Sequence, residues 1–350
     1  MGLHATDLGD LDLGTLRDLG RMKLTDLMSS LQHHKTIKAM TAPGRIKTFG
    51  GGKEFQFNLQ YQTSGTARSV GLGYTAVTNI RDTTAQGNHP FRHGTFNYSF
   101  EDRELLFNRG GAEIFDVLDT RRRSAFADWV EHEELKVWRC PASSDVDSPH
   151  GIPYWVVKNN TVGFNGGAPS GYTTVGGINP STGVGGKWKN YSGQYTAISE
   201  ADLVDKMETA MDLTKFEPLT DQGPSDYNTG DKYVLFCNQA TRQGFKRIAK
   251  SFNDSLGFDL DPAAGKVMFR RVGIEWIAKL DEDTTNPVYG INFGVFKTAV
   301  LKGDWMHETK IDKNPLQPRM KSVHVDCTRN YYTYDRRRHF VLATDTTMPS

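Results

Sequence analysis

The chain has 350 residues, with 42 Lys or Arg against 41 Asp or Glu, so no strong positive field marks it as a nucleic-acid reader. Hydrophobic residues make up 37%, beside 35 glycines and 11% aromatics, which predicts a thin core, many loops and a body that gains stability from neighbours. Cys140, Cys237 and Cys327 are far apart with no CxxC pair, which excludes a disulfide framework and a zinc ribbon and fits a reduced, cytoplasmic setting.

No charged-then-apolar leader and no run of about 18 apolar residues is present, so a soluble protein without a membrane partner is expected. Residues 1–45 are leucine-rich but broken by Gly9, Gly14 and Gly20, with a short helix predicted around Leu24, Leu27, Met28 and Leu31. A segment this interrupted has little to pack on by itself and reads as an arm that docks on another body.

The segment KEFQFNLQYQ (53–62) has the period of a half-buried strand, with Phe55, Phe57, Leu59 and Tyr61 on one face. A Gly/Ser/Thr-rich excursion from Thr63 to Gly94 follows, then a second alternation at Phe96, Tyr98 and Phe100. The two runs predict a hairpin with a long tip. Such a hairpin is marginal alone, so its aromatic stripe needs cover from the body or from a neighbouring subunit.

After Gly110-Gly111 the period becomes helical. Ile114, Leu118, Ala125 and Trp129, widened by Phe115, Phe126 and Val130, form one stripe. A helix over 111–137 would be about 40 Å long, a spine more than a catalytic cradle. Residues 141–195 are rich in Gly, Pro, Ser, Thr and Asn around a strand-like YWVV. Before Gly186-Lys187 a phosphate loop would need glycine at Ser181 and a hydroxyl at Trp188, so that motif fails and a surface loop is expected.

Residues 199–256 predict a compact α/β unit. Ser199 with Asp202 resembles a capping box, and Leu203, Met207, Ala210 and Met211 form a helix face. The strand Tyr233–Cys237 leads to Asn238 as N-cap, then to a helix lined by Phe245, Ile248, Ala249, Phe252 and Leu256 and stopped at Gly257. Beyond Lys266 the alternation of Val267 and Phe269 slips at Arg270-Arg271 and resumes at Val272, Ile274 and Trp276, as at a bulge. Asp281-Glu282-Asp283 lacks calcium-loop spacing and reads as a solvated turn. PVYGINFGVFKTAVL, KSVHVDC and NYYTYDRRRHFVLAT close the chain as strands, with His324 opposite in phase to Val323 and Val325.

No GxSxG, HExxH or strand-borne GxGxxG occurs, and the scattered histidines nominate no nucleophile with its base. No catalytic, cofactor-binding or metal-ligating residue is therefore assigned, and a non-enzymatic protein without a cofactor is expected. Two arginine triplets stand out: Arg121, Arg122 and Arg123 in the long helix, and Arg336, Arg337 and Arg338 near the end. Arg122 projects onto the apolar stripe, and Glu131, Glu133 and Glu134 crowd the C-terminal part of the helix, where the dipole disfavours them. Ion pairs with neighbouring subunits would relieve both. The candidate interface residues are thus Phe55, Phe57, Leu59, Tyr61, Phe96, Tyr98, Phe100, Arg121, Arg122, Arg123, Glu131, Glu134, Arg336, Arg337 and Arg338.

In this order of elements the chain resembles the major capsid proteins of tailed phages, the Hong Kong 97-type α+β fold. PVYGINFGVF and YYTYDRRRHFVLAT look like the family's closing strands. The resemblance implies an N-terminal arm over 1–45 and an extended hairpin loop over 46–100. It places a peripheral domain with spine helix at 101–145, an axial domain at 146–290 and peripheral closing strands at 291–350. It further implies self-assembly into an icosahedral shell of pentamers and hexamers around double-stranded DNA held non-specifically, with scaffolding, portal and decoration proteins as partners. The shell would assemble in the host cytoplasm and end in the virion capsid. An encapsulin-type nanocompartment enclosing enzyme cargo shares that fold. An unrelated β-rich enzyme without linear motifs is the remaining alternative.

Overall fold

A computed structural model describes residues 34–75, 80–107, 117–214, 233–251, 267–270, 272–314 and 317–345. Nearly all of the predicted arm, including its Leu24–Leu31 helix, lies outside them, as do Ile114, Phe115, Phe252, Leu256 and Gly257. The chain order is α1 (Lys35–Met40), β1 (Ile46–Phe49), β2 (Glu54–Gln60), β3 (Thr84–Pro90), β4 (Arg92–Glu101), α2 (Asp102–Phe107) and α3 (Val117–Val137). Next come α4 (Ile152–Trp155), β5 (Gly163–Gly166), β6 (Asn190–Gln194), α5 (Asp205–Thr214), β7 (Tyr233–Cys237) and α6 (Gln239–Ser251). The chain closes with β8 (Val267–Phe269), β9 (Val272–Trp276), β10 (Val288–Asn292), β11 (Phe296–Leu301), β12 (His307–Glu308), β13 (Asp312–Asn314), β14 (Gln317–Thr333) and β15 (Phe340–Ala343).

Two sheets and one hairpin carry the fold. The first sheet runs β1-β11-β14-β12, with β13 and β4 also paired to β14. The second runs β5-β6-β15-β10-β7-β9-β8, and β2-β3 stands apart as a two-stranded ribbon. Strand β14, 17 residues long, is the backbone of the first sheet: β4 lies antiparallel along it from Met320 opposite Glu101 to Arg329 opposite Arg92. The chain leaves the first sheet through β14 and enters the second through β15, so the two share one continuous closing segment.

The aromatic runs therefore pair differently from the expectation. Strand β2 joins β3, with Phe57 opposite Gly87, while Phe96–Phe100 lies in β4 against β14. Strand β3, TAQGNHP, has no apolar alternation because small residues must stand opposite the rings of β2. A Cβ at Gly87 would lie 2.4 Å from the Phe57 ring. The excursion after Thr63 thus contains the true partner strand.

Helix α3 packs on β4. Trp129 stacks on Phe96 at 5.2 Å and Phe126 meets the same ring edge-on at 5.1 Å. Glycine is required at position 94, since a Cβ there would lie 2.4 Å from Trp129 and 2.6 Å from Arg329. A separate short helix, α2, follows β4 and precedes α3. The second sheet buries Leu203, Met207, Ala210, Met211 and Phe245 against Leu235, Val288, Phe340 and Leu342, as the helix faces predicted.

Five local readings come out as follows. Asn238 caps α6 through Oδ1, which accepts from the Thr241 amide at 2.9 Å, and His324 is exposed between buried Val323 and Val325, both as expected. Ser199 makes no side-chain cap; Asp202 instead accepts from the Thr196 and Ala197 amides. Arg270 is no bulge but follows β8 in its hairpin connection to β9, since Phe269 pairs with Val272 and Arg270 takes φ 47°, a left-handed conformation suited to hairpin turns. Asp283 is buried at 5% exposure, its carboxylate accepting from Lys158 at 2.5 Å, so the acidic run is not wholly solvated.

Candidate assembly surfaces

At the base of the hairpin, burial decides what a neighbour could reach. Phe55 and Phe57 are 2% and 6% exposed. Phe55 packs on Phe49, Phe91 and Tyr332 at 5.0–5.1 Å, and Phe57 stacks on Trp188 at 6.0 Å. These rings are core of their own chain, so their expected interface role is corrected: a side chain already enclosed has no surface to offer. Leu59 and Tyr61, farther out, remain partly exposed. Beyond them the chain from Thr63 to Thr75 is exposed throughout, with Val70 at 54%, Tyr74 at 42%, and Leu72 and Ile80 fully open.

On β4, Tyr98 and Phe100 are also buried, Tyr98 with Val323 and Val325; only Phe96 keeps partial exposure. The helix charges find partners within the chain. Arg121 donates to the Ser99 carbonyl and to Glu104, both at 2.9 Å. Arg122 forks onto Glu308 at 2.6–2.9 Å, and Arg123 pairs with Asp119 one turn away. Glu131 is half-buried. Glu134 is 2% exposed and accepts from the Thr36 and Ile37 amides at the start of α1. It is a helix cap, not an intersubunit charge. Its neighbour Glu133 binds Arg329 and accepts from the Tyr331 hydroxyl at 2.6 Å.

The second triplet is more surprising. Arg336 is fully buried and donates to the carbonyls of Trp155 at 2.8 Å, Trp188 at 2.8 Å and Gly167 at 2.7 Å, and to Asn190 Oδ1 at 3.1 Å. Burial pushes its guanidinium pKa down to about 9, yet the cage of oxygens still meets a cation. Arg338 is buried beside Asp335, its Nε donating at 2.9 Å. Both are internal staples, and their placement at an interface is corrected for the same reason as Phe57. Arg337 lies over the Phe164 ring at 4.1 Å with partial exposure.

None of this gathers chemistry. Among the described residues no group of three His, Cys, Asp or Glu could hold a metal ion. Burial pushes the Cys140 thiol up to about 11 and those of Cys237 and Cys327 to about 12, away from reactive thiolates. A polar recess of about 340 Å³, lined by Asn159, Thr161, Asn165, Ser181 and Lys189 among others, pairs no nucleophile with a base. No helix among the described residues is long and apolar enough to cross a membrane. Sequence reasoning missed the pairs Glu133–Arg329 and Lys158–Asp283, whose members are too far apart in the chain to signal each other.

No protein-family model and no curated protein matches the sequence. Solved structures do. The capsid asymmetric unit of cyanophage A-1(L) superposes at TM-score 0.62 with 12% identity, covering 94% of this chain and 97% of that one. This is the Hong Kong 97-type capsid fold. The capsid of Myoviridae phage XM1 matches at TM-score 0.52, 12% identity and coverage of 94% and 97%. The SrpI encapsulin of Synechococcus elongatus matches at 0.52, 10% identity and coverage of 99% and 97%. The fold shared with these structures comprises a long helix lying on one sheet, a second sheet and the β2-β3 hairpin.

Proposed function

We propose that the chain is the major capsid protein of a tailed phage, a structural subunit whose copies close into an icosahedral shell of pentamers and hexamers around double-stranded DNA. The observation that carries this reading is the near-complete mutual coverage with the cyanophage A-1(L) capsid chain. The exposed hairpin tip supports it, since Val70, Leu72, Tyr74 and Ile80 leave apolar side chains open to a partner. Leu59, Tyr61, Phe96, Arg121, Arg122, Arg123, Glu131 and Arg337 are the candidates that still have surface to place against a neighbour. Scaffolding, portal and decoration proteins are the expected partners, the near-neutral charge suits DNA contacted non-specifically, and assembly in the host cytoplasm precedes residence in the virion.

Electron microscopy of the expressed protein tests the reading: shells or capsomer rings are expected, and a monomer that assembles under no condition overturns it. The encapsulin match supports a second reading, a nanocompartment around enzyme cargo. Co-purifying enzyme inside scaffold-independent shells would select it; empty shells whose closure depends on a scaffold would select the capsid.

A further inference from the structure

Where the hairpin meets the body, two histidines face each other under cover. His89 on β3 is 2% exposed and His150, just before α4, 4%. Their ring centroids are 4.6 Å apart, within a ring of Tyr154, Trp155 and Tyr172. His89 Nε2 has no hydrogen-bond partner among the described residues.

The bonding around Asn330 specifies the state of His150. Asn330 Oδ1 accepts from the His150 amide at 3.0 Å and the Tyr331 amide at 2.8 Å, and its Nδ2 donates to the Pro90 carbonyl at 2.7 Å. The amide orientation is thereby fixed, and Nδ2 also faces His150 Nδ1 at 3.4 Å. That nitrogen must accept, so a proton on it would set donor against donor. The same Asn330 holds Pro90, the last residue of β3. The outer contact of this joint is the Asn88 amide on the Gly176 carbonyl.

We infer that His89 and His150 form an acid-sensitive latch, closed only while both rings are neutral, whose protonation frees the β2-β3 hairpin from the body. The groups around the pair reinforce this. Arg92, on β4, is a fixed cation that opposes protonation of both rings. Asp145 is the opposing influence on His150, but it is ionised throughout, its carboxyl held down to about 2 chiefly by hydrogen bonds from Ser148. Tyr154, Tyr172 and Cys140 are raised by burial and stay neutral. Desolvation drives the His150 pKa down to about 3 and His89 well below its ordinary value. A released ring titrates near 6.5, so the open state binds protons first and the closed state is lost as pH falls below that value. The latch is a property of the folded chain and stands whether or not the protein builds a shell.

Hydrogen exchange on the full-length subunit tests it, read at the Asn88 and Phe91 amides and normalised for intrinsic rates. From about pH 7.5 to about pH 5, His150 alone lowers hairpin protection about 30-fold, and at the lower pH the hairpin amides exchange faster than those of Val288–Asn292 in the second sheet. His150→Gln, which can keep an acceptor, and His89→Phe, which keeps the ring packing, should each lose less protection at the lower pH than the natural protein, and the double variant should hold it. Ring nitrogen shifts should show His150 protonated on Nε2 alone at about pH 7.5. Unchanged hairpin protection in the natural protein, or hairpin protection at the lower pH no smaller than that of the Val288–Asn292 amides, overturns the latch, as does equal loss in the folded double variant.

Discussion

Glu133 of the long helix and Arg329 of the long strand form an ion pair that is closed to solvent on both sides, at 5% and 3% side-chain exposure. Tyr331 donates to the same carboxylate, and Arg329 also lies 4.6 Å over Trp129. The pair locks α3 to β14 where both are enclosed.

Glu133→Gln should therefore be severe. Removing one partner leaves Arg329 buried and uncompensated, a loss of about 3–5 kcal/mol. Chemical denaturation of the subunit checks this. A drop below about 1 kcal/mol would mean that solvent reaches the guanidinium.

Gly87→Ala places a Cβ 2.4 Å from the Phe57 ring and should destabilise the subunit by about 1–3 kcal/mol through overpacking. Phe57→Ala, leaving a cavity between Trp155 and Trp188, should lose about 3–5 kcal/mol. Both act on subunit folding and are read from the melting of unassembled protein, since these rings belong to the subunit's own core.

At the hairpin tip the opposite pattern is expected. Leu72→Ser and Ile80→Ser remove fully exposed apolar side chains, so subunit stability should move by less than about 0.5 kcal/mol, while shell yield by sedimentation falls. Unaltered yield would show that the tip makes no essential contact.

Arg336→Lys keeps the charge but loses the planar fork that reaches Trp155, Trp188 and Gly167 together. At least one buried carbonyl is left without a donor, and a destabilisation of about 2 kcal/mol or more is expected in denaturant titration. Survival at natural stability would show that a lysine and water can replace the fork.

His339, directly after Arg338, ties overall stability to pH. Its Nδ1 accepts from the Asn292 amide at 3.2 Å, and burial, then Arg336 and Arg338, lower its pKa from 6.5 to about 3. The unfolded chain takes up the proton first, so global stability should fall by up to about 1.4 kcal/mol per pH unit below 6.5 from this group. Denaturant midpoints across that range measure it.

What could be read from the sequence follows from the reach of each signal. In β2 the alternation announced itself, and Phe55 and Phe57 point inward while Glu54, Gln56, Asn58 and Gln60 are exposed. Tyr233–Cys237 and the Asn238 cap were equally legible because both depend on neighbours a few residues away. Strand β3 was hidden because its inward face is Ala85, Gly87 and His89, small or polar positions made possible by rings on another strand. Arg336 in a run of three arginines looks solvated, and only the fold brings Trp155, Trp188 and Gly167 around it. Glu133 meets a partner 196 residues away, a distance over which no local pattern speaks.

The parallel pairing of β1 with β11 sets Ile46 opposite Thr298, a separation of roughly 250 residues. The edge of the first sheet therefore cannot close until most of the chain has left the ribosome, and β4 likewise waits for β14. A topology so dominated by distant pairings folds slowly. Until β11 and β14 emerge, β1 and β4 are unpaired strands open to self-association, the hazard that such long-range pairing brings.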